Sequence, residues 1–180
     1  NEEAFAAVFY PALGHEREEL EPIFRRFYEE VFPTLRGLTR PIAEAPAVVH
    51  RVLQLGCDVV IATNPLFPAS AIEQRLEWAG LPPAQFPFAL ITTYENMHAT
   101  KARPIYYREI ADRIGRAPED CLMVGDNWRW DVVHALEAGM NAFWIAAPEL
   151  SVPDPAVDLV GRGTLVDFSR LGEGFDRPAS

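Results

Sequence analysis

Hydrophobic positions recur along the chain at two periods. In residues 16–32, EREELEPIFRRFYEEVF, the apolar side chains Leu20, Ile23, Phe24, Phe27, Tyr28, Val31 and Phe32 fall at alternating steps of three and one. That spacing lays one stripe along a helix and predicts that the aromatic stripe forms a small core. Residues 2–13, EEAFAAVFYPAL, predict a weaker helix broken near Pro11, whose ring and missing N–H oppose the helical ladder. Residues 33–46, PTLRGLTRPIAEAP, are rich in Pro and Gly and read as a connector.

From about residue 45 the texture changes. Helical PAVVHRVLQLG leads to the strand CDVVIA, SAIEQRLEWAG to FALIT, PIYYREIADRIG to CLMVG, and DVVHALEAGM to AFWIA. Short, continuously apolar strands separated by amphipathic helices are the pattern of a parallel sheet covered on both faces. Each helix ends on a glycine (Gly56, Gly80, Gly115, Gly139), the residue that closes a helix in the left-handed region at least cost. The predicted fold is therefore α/β: a Rossmann-like open parallel sheet with helices on both faces over residues 41–180, preceded by a small helical cap module over 1–40. The length suits one ordinary core with such an appendage.

Composition narrows the classes of function. With 49% apolar and 23% charged residues the chain has the make-up of a globular domain. No apolar run approaches the roughly 20 residues a membrane span needs, so no membrane partner is expected. A net charge of −10 and a pI near 4.8 disfavour nucleic acid as a partner. An anionic substrate would need positive charge concentrated locally. Cys57 and Cys121 each open a predicted strand and read as small buried thiols, which fits a reducing, cytoplasmic setting. The chain opens with Asn1 inside a helical pattern, so residues upstream, a signal peptide among them, stay open.

Polar residues gather where three of these segments leave the sheet. VVIATNP delivers Thr63 and Asn64 off a strand, VGDNWRWD delivers Asp126, Asn127 and Asp131 off another, and ENMHATKARP places Lys101 in a loop before Pro104. In parallel α/β sheets ligands bind beyond the carboxyl ends of the strands. One hydroxyl, one ammonium and an acid pair suit phosphoryl transfer, whose oxygens need donors and cations. Thr63, Asn64 and a neighbouring N–H are candidate oxygen binders, and Lys101 a compact positive charge. Asp126 is a hard ligand for Mg²⁺, and Asp131 a helix cap or a holder of the metal's water. The glycine before Asp126 allows a sharp turn.

VVIATNP, Lys101 with Pro104, and VGDNWRWD followed by AGM together resemble the second, third and fourth motifs of the haloacid dehalogenase-like (HAD) superfamily, in order and in spacing, across residues 41–147. The resemblance implies that Thr63 binds the phosphoryl oxygen, Lys101 steadies nucleophile and phosphate, Asp126 ligates Mg²⁺ and Asp131 supports the acidic loop. It implies a Mg²⁺-dependent hydrolase of a small phosphorylated metabolite, working through an aspartyl-phosphate. The family's first motif, an Asp-x-Asp pair on the central strand, occurs nowhere in these 180 residues. That strand belongs between those ending at Thr63 and Asp126. The expectation is thus a strand and nucleophile upstream of Asn1, two strand edges without partners, and an inactive segment when taken alone.

Other readings stay open: a catalytically inactive binding or scaffold member, a haloacid dehalogenase, or a phosphoacceptor receiver domain. His98 is expected to be an exposed loop histidine and His134 partly buried packing. Trp128 and Trp130 either wall the site or pack a turn on the core, and GRG at 161–163 is too thin for a phosphate loop.

Overall fold

The computed structural model describes residues 1–171. A helical layer comes first, with α1 (Glu2–Leu13) and α2 (Arg17–Arg26). The core follows as α3 (Ala45–Gln54), β1 (Val60–Ile61), α4 (Ala69–Trp78), β2 (Leu90–Ile91) and α5 (Ile105–Arg113). It continues through β3 (Leu122–Gly125), α6 (His134–Glu137), β4 (Asn141–Ile145), β5 (Gly161–Gly163) and α7 (Leu165–Leu171). All strand pairs are parallel. The α/β class expected from the sequence is what the chain adopts.

The sheet comes in two pieces. β1 pairs with β2, and β3, β4 and β5 form a second set in that order. Among the described residues β1 and β3 each have one paired edge, and both stop short of the predicted runs. The backbone bonds from Ala89 N–H to Val59 O and from Thr92 N–H to Ile61 O extend the β1–β2 pairing a little beyond the two-residue strands. Within it, Val60 faces Leu90 and Ile61 faces Ile91. Val60 and Leu90 pack against Tyr106, Tyr107 and Met123 on one face, while Ile61 and Ile91 pack against Ile72, Leu76 and Leu81 on the other. Successive strand residues point to opposite faces, so a strand buried on both sides must be apolar at every step. A third cluster, Val132, Ala142, Trp144 and Ala146, closes the β4 side. The four glycines at the helix ends all have positive φ, between 65° and 95°.

Several expectations are corrected. α1 runs through Pro11, because in its last turn the missing N–H removes one backbone bond. The helix of residues 16–32 changes pitch: α2 gives way to a π turn over Phe27–Val31 and a 3-10 stretch over Phe32–Leu38. Each form winds at its own number of residues per turn, so a stripe spaced for an α-helix no longer shares one face. Only Phe32 of the aromatic stripe is buried, while Ile23, Phe27 and Val31 are 60%, 40% and 48% exposed. Phe32 stacks on Trp78 at 5.3 Å and Gln74 donates to Tyr28 O at 2.9 Å, pinning this layer to α4. Cys57 lies exposed ahead of β1 and is not a buried thiol, whereas Cys121 is half-buried against the core cluster with its thiol donating to Ala117 O. GRG forms β5, without the apolar run that marks the predicted strands, and α7 follows it.

Candidate active site

Thr63 and Asn64 leave the C-terminal end of β1, Asp126 leaves the same end of β3, and the Lys101 loop joins β2 to α5. The two strands run in the same sense within their sheets, and side-chain bonds tie the three segments together. Asn64 Oδ1 accepts the Lys101 N–H at 3.3 Å, and Lys101 Nζ donates to Asp131 Oδ1 at 2.7 Å. Asp131 Oδ2 accepts the N–H of Asn127, the residue after Asp126, at 3.1 Å. The path Thr63–Asn64–Lys101–Asp131–Asn127–Asp126 is thus continuous, and it joins the six polar residues that the three segments bring to the strand ends.

Lys101 is the only lysine among the 180 residues; the other fifteen cations are arginines. Its side chain is 12% exposed and that of Asp131 6%. Such a pair persists in low dielectric because each charge is neutralised and hydrogen-bonded. Both Asp131 oxygens already accept bonds from this chain, which makes it an anchor for the ammonium. Asp126 by contrast is exposed, and its backbone carbonyl is held by Trp144 Nε1 at 3.0 Å.

The acidic loop is shaped by a π turn over Trp128–Val133, a form that recurs at functional sites. Asn127 caps it by accepting the Trp130 N–H at 2.9 Å. Gly125 was expected to serve a sharp turn, but its φ is not positive. Its role is space: a methyl group there would lie 2.5 Å from Asp131 Cβ and Cγ, and closer still to Oδ2. Trp128 packs edge-on against Trp144 at 5.1 Å and belongs to the core, while Trp130 is 39% exposed.

Thr63 is held from the neighbouring strand end. Its N–H donates to Thr92 Oγ1 at 2.8 Å and its hydroxyl donates to Thr92 O at 2.7 Å. The Tyr106 hydroxyl donates to Thr63 O and lies 3.0 Å from Thr92 Oγ1. Beside it, the Tyr107 hydroxyl donates to Trp130 O. Burial raises both phenols well above the ordinary value, and the Asp131 charge pushes the same way. Thr92, fully buried, is a residue that no motif marked; a polar side chain at the end of an apolar strand was the available signal.

His98 is exposed, and its ring and N–H bond Glu109. Burial alone would lift the Glu109 carboxyl; the bonds from His98 and Arg113 hold it below its ordinary value. His134 is buried, as expected of packing, and its Nδ1 lies 2.8 Å from Lys101 O, a contact the sequence did not suggest.

Parallel strands covered by helices, with hydroxyl, ammonium and carboxylates at their carboxyl ends, are the arrangement of the HAD fold. The haloacid dehalogenase-like hydrolase family matches residues 3–139, and the chain belongs to it. A phosphoglycolate phosphatase from Xanthomonas campestris pv. campestris (strain 8004) is 33% identical over 125 residues, 69% of this chain and 52% of that protein. The chain spans about half the length of the curated relatives it matches. Among solved structures, a HAD phosphatase from Thermococcus onnurineus superposes with TM-score 0.66 at 21% identity, over 97% of this chain and 91% of the other. A HAD family hydrolase from Deinococcus radiodurans R1, with bound phosphate and sodium, gives 0.56 at 20% identity over 77% and 62%. No helix among the described residues is long and apolar enough to cross a membrane.

Proposed function

We propose that the protein is a Mg²⁺-dependent phosphohydrolase of a small phosphorylated metabolite, working through an aspartyl-phosphate whose nucleophile lies on a strand between β1 and β3. The observation that carries this reading is the connected set Thr63, Asn64, Lys101, Asp131 and Asp126 across the one-sided edges of β1 and β3. Unpaired strand edges at the centre of a sheet are costly, and one parallel strand satisfies both. The residues upstream of Asn1 are where such a strand is proposed.

Lys101 fixes positive charge where the transferring phosphoryl group gathers negative charge, and Asp131 keeps that ammonium aimed. The Thr63 hydroxyl, turned about its Cα–Cβ bond, exchanges Thr92 O for a phosphoryl oxygen. Asn64 holds the Lys101 backbone and lends order to the pocket. Asp126 fits Mg²⁺ as a hard, exposed carboxylate with no ion-pair partner among the described residues; Asp131 supports from behind. When bound, Mg²⁺ neutralises phosphate oxygens. Among the described residues no group of three His, Cys, Asp or Glu side chains forms a metal site, so further ligands are proposed to come with the central strand.

Phosphoglycolate, the substrate named for the Xanthomonas relative, is the first candidate. The test is phosphate release from phosphoglycolate and other small phosphate esters by the full-length protein, with and without a chelator, beside Asp126→Asn. Activity that chelation abolishes and Asp126→Asn lowers at least a hundredfold is expected. Undiminished turnover in Asp126→Asn removes the role given to that carboxylate.

A further inference from the structure

Lys101 belongs to no helix or strand, so its place depends on the bonds its own backbone makes. Its N–H is taken by Asn64 Oδ1 at 3.3 Å, a long bond; its carbonyl is met by His134 Nδ1 at 2.8 Å, a short one. A carbonyl only accepts, so Nδ1 carries the proton and the ring is the donor. His134 opens α6, three residues after Asp131, and is 8% exposed. The segment 131–134 therefore grips Lys101 at both ends: Asp131 at the ammonium and His134 at the carbonyl.

We infer that His134 is a positioning residue, which through the Lys101 carbonyl sets where the Lys101 ammonium stands in the site. A lysine is a point charge on a flexible stem, and one anchor at Nζ leaves the stem free to bring the charge and Asp131 along several paths. Fixing the carbonyl fixes the root of that stem. The single helical turn that runs from Asp131 to His134 makes the two anchors one rigid piece, so Asp131, Lys101 and the acidic loop move together. This rests on the phosphatase reading given above, in which Lys101 acts on the transferring group. Displacing a charged group by about 1 Å costs up to a hundredfold in rate, and the loss falls on the chemical step.

The test uses the full-length protein with three substitutions. Asn at 134 puts an amide nitrogen near the place of Nδ1, Gln puts one near Nε2, and Leu offers no donor. Expected are a fall in kcat of about tenfold for His134→Leu and His134→Gln with KM within twofold, and recovery of most of kcat in His134→Asn. The second readout is amine labelling of Lys101, followed by mass spectrometry of its peptide. Labelling should rise severalfold in His134→Leu and His134→Gln and stay low in His134→Asn. Thermal melts confirm that each variant folds, and the Asn and Gln pair keeps the comparison if the Leu variant does not. Equal kcat and equal labelling in all four proteins overturns the inference, as does an Asn variant no better than Gln. If the unsubstituted protein releases no phosphate from any ester, the phosphatase reading falls and the labelling series alone decides on His134.

Discussion

Gly125→Ala puts one methyl group into the most constrained spot of the site. The added carbon would stand 2.5 Å from Asp131 Cβ and Cγ, so the Asp131 side chain must swing away. It cannot do so and keep Oδ1 on Lys101 at 2.7 Å and Oδ2 on Asn127 N–H at 3.1 Å. Overpacking of this kind costs about 1–3 kcal/mol. Separating a buried ion pair costs about 3–5 kcal/mol when one partner is lost altogether. Here both charges remain and gain some water, so a total of about 2–4 kcal/mol is expected, from a stability typically about 5–15 kcal/mol. For a chain of this size that lowers the melting temperature by roughly 5–15 °C. The assay is urea unfolding of the wild type, Gly125→Ala, Asp131→Gly and the double variant. Removing the Asp131 side chain removes the clash, so Gly125→Ala should then cost less than about 1 kcal/mol, a coupling of the size seen for touching residues. The same cost in both backgrounds would refute the steric account.

Two further outcomes are expected. Tyr106 and Tyr107 have phenols raised above the ordinary value of 10.0, chiefly by burial, so the stability they lend is intact below about pH 10 and falls as pH climbs beyond it. Each contributes a slope of about 1.4 kcal/mol per pH unit in that window, which thermal melts from pH 8 to 11 would show as a steepening loss absent from a Tyr106→Phe, Tyr107→Phe protein. Thr92→Val keeps the shape but leaves the Thr63 N–H without its 2.8 Å acceptor, and should cost about 1–3 kcal/mol in urea unfolding while loosening Thr63 in the site.

Much of the framework was legible before any coordinates. The unbroken apolar runs around Val60, Leu90, Met123 and Phe143 announced strands buried on both faces, and the glycines after each helix marked where the chain turns back. The three polar segments were also visible, because strand ends in such a sheet are ligand edges whatever the detail. What local pattern could not carry was pitch and partnership. The Phe24–Phe32 stripe looked continuous because periodicity assumes one helical pitch, and the change to π and 3-10 turns dispersed it.

Thr92 and Thr63 are 29 residues apart, and His134 and Lys101 are 33 apart. Their bonds depend on how whole elements stack. The sequence alone determined which residues are apolar at which period, hence the order of elements and the edge at which chemistry collects. The tertiary structure alone decided that Gly125 makes room for Asp131, that Asp131 holds Lys101, and that His134 takes the Lys101 carbonyl. Periodicity reports burial of a residue's own face, whereas a side-chain partner across the fold is set by the path of all the chain between.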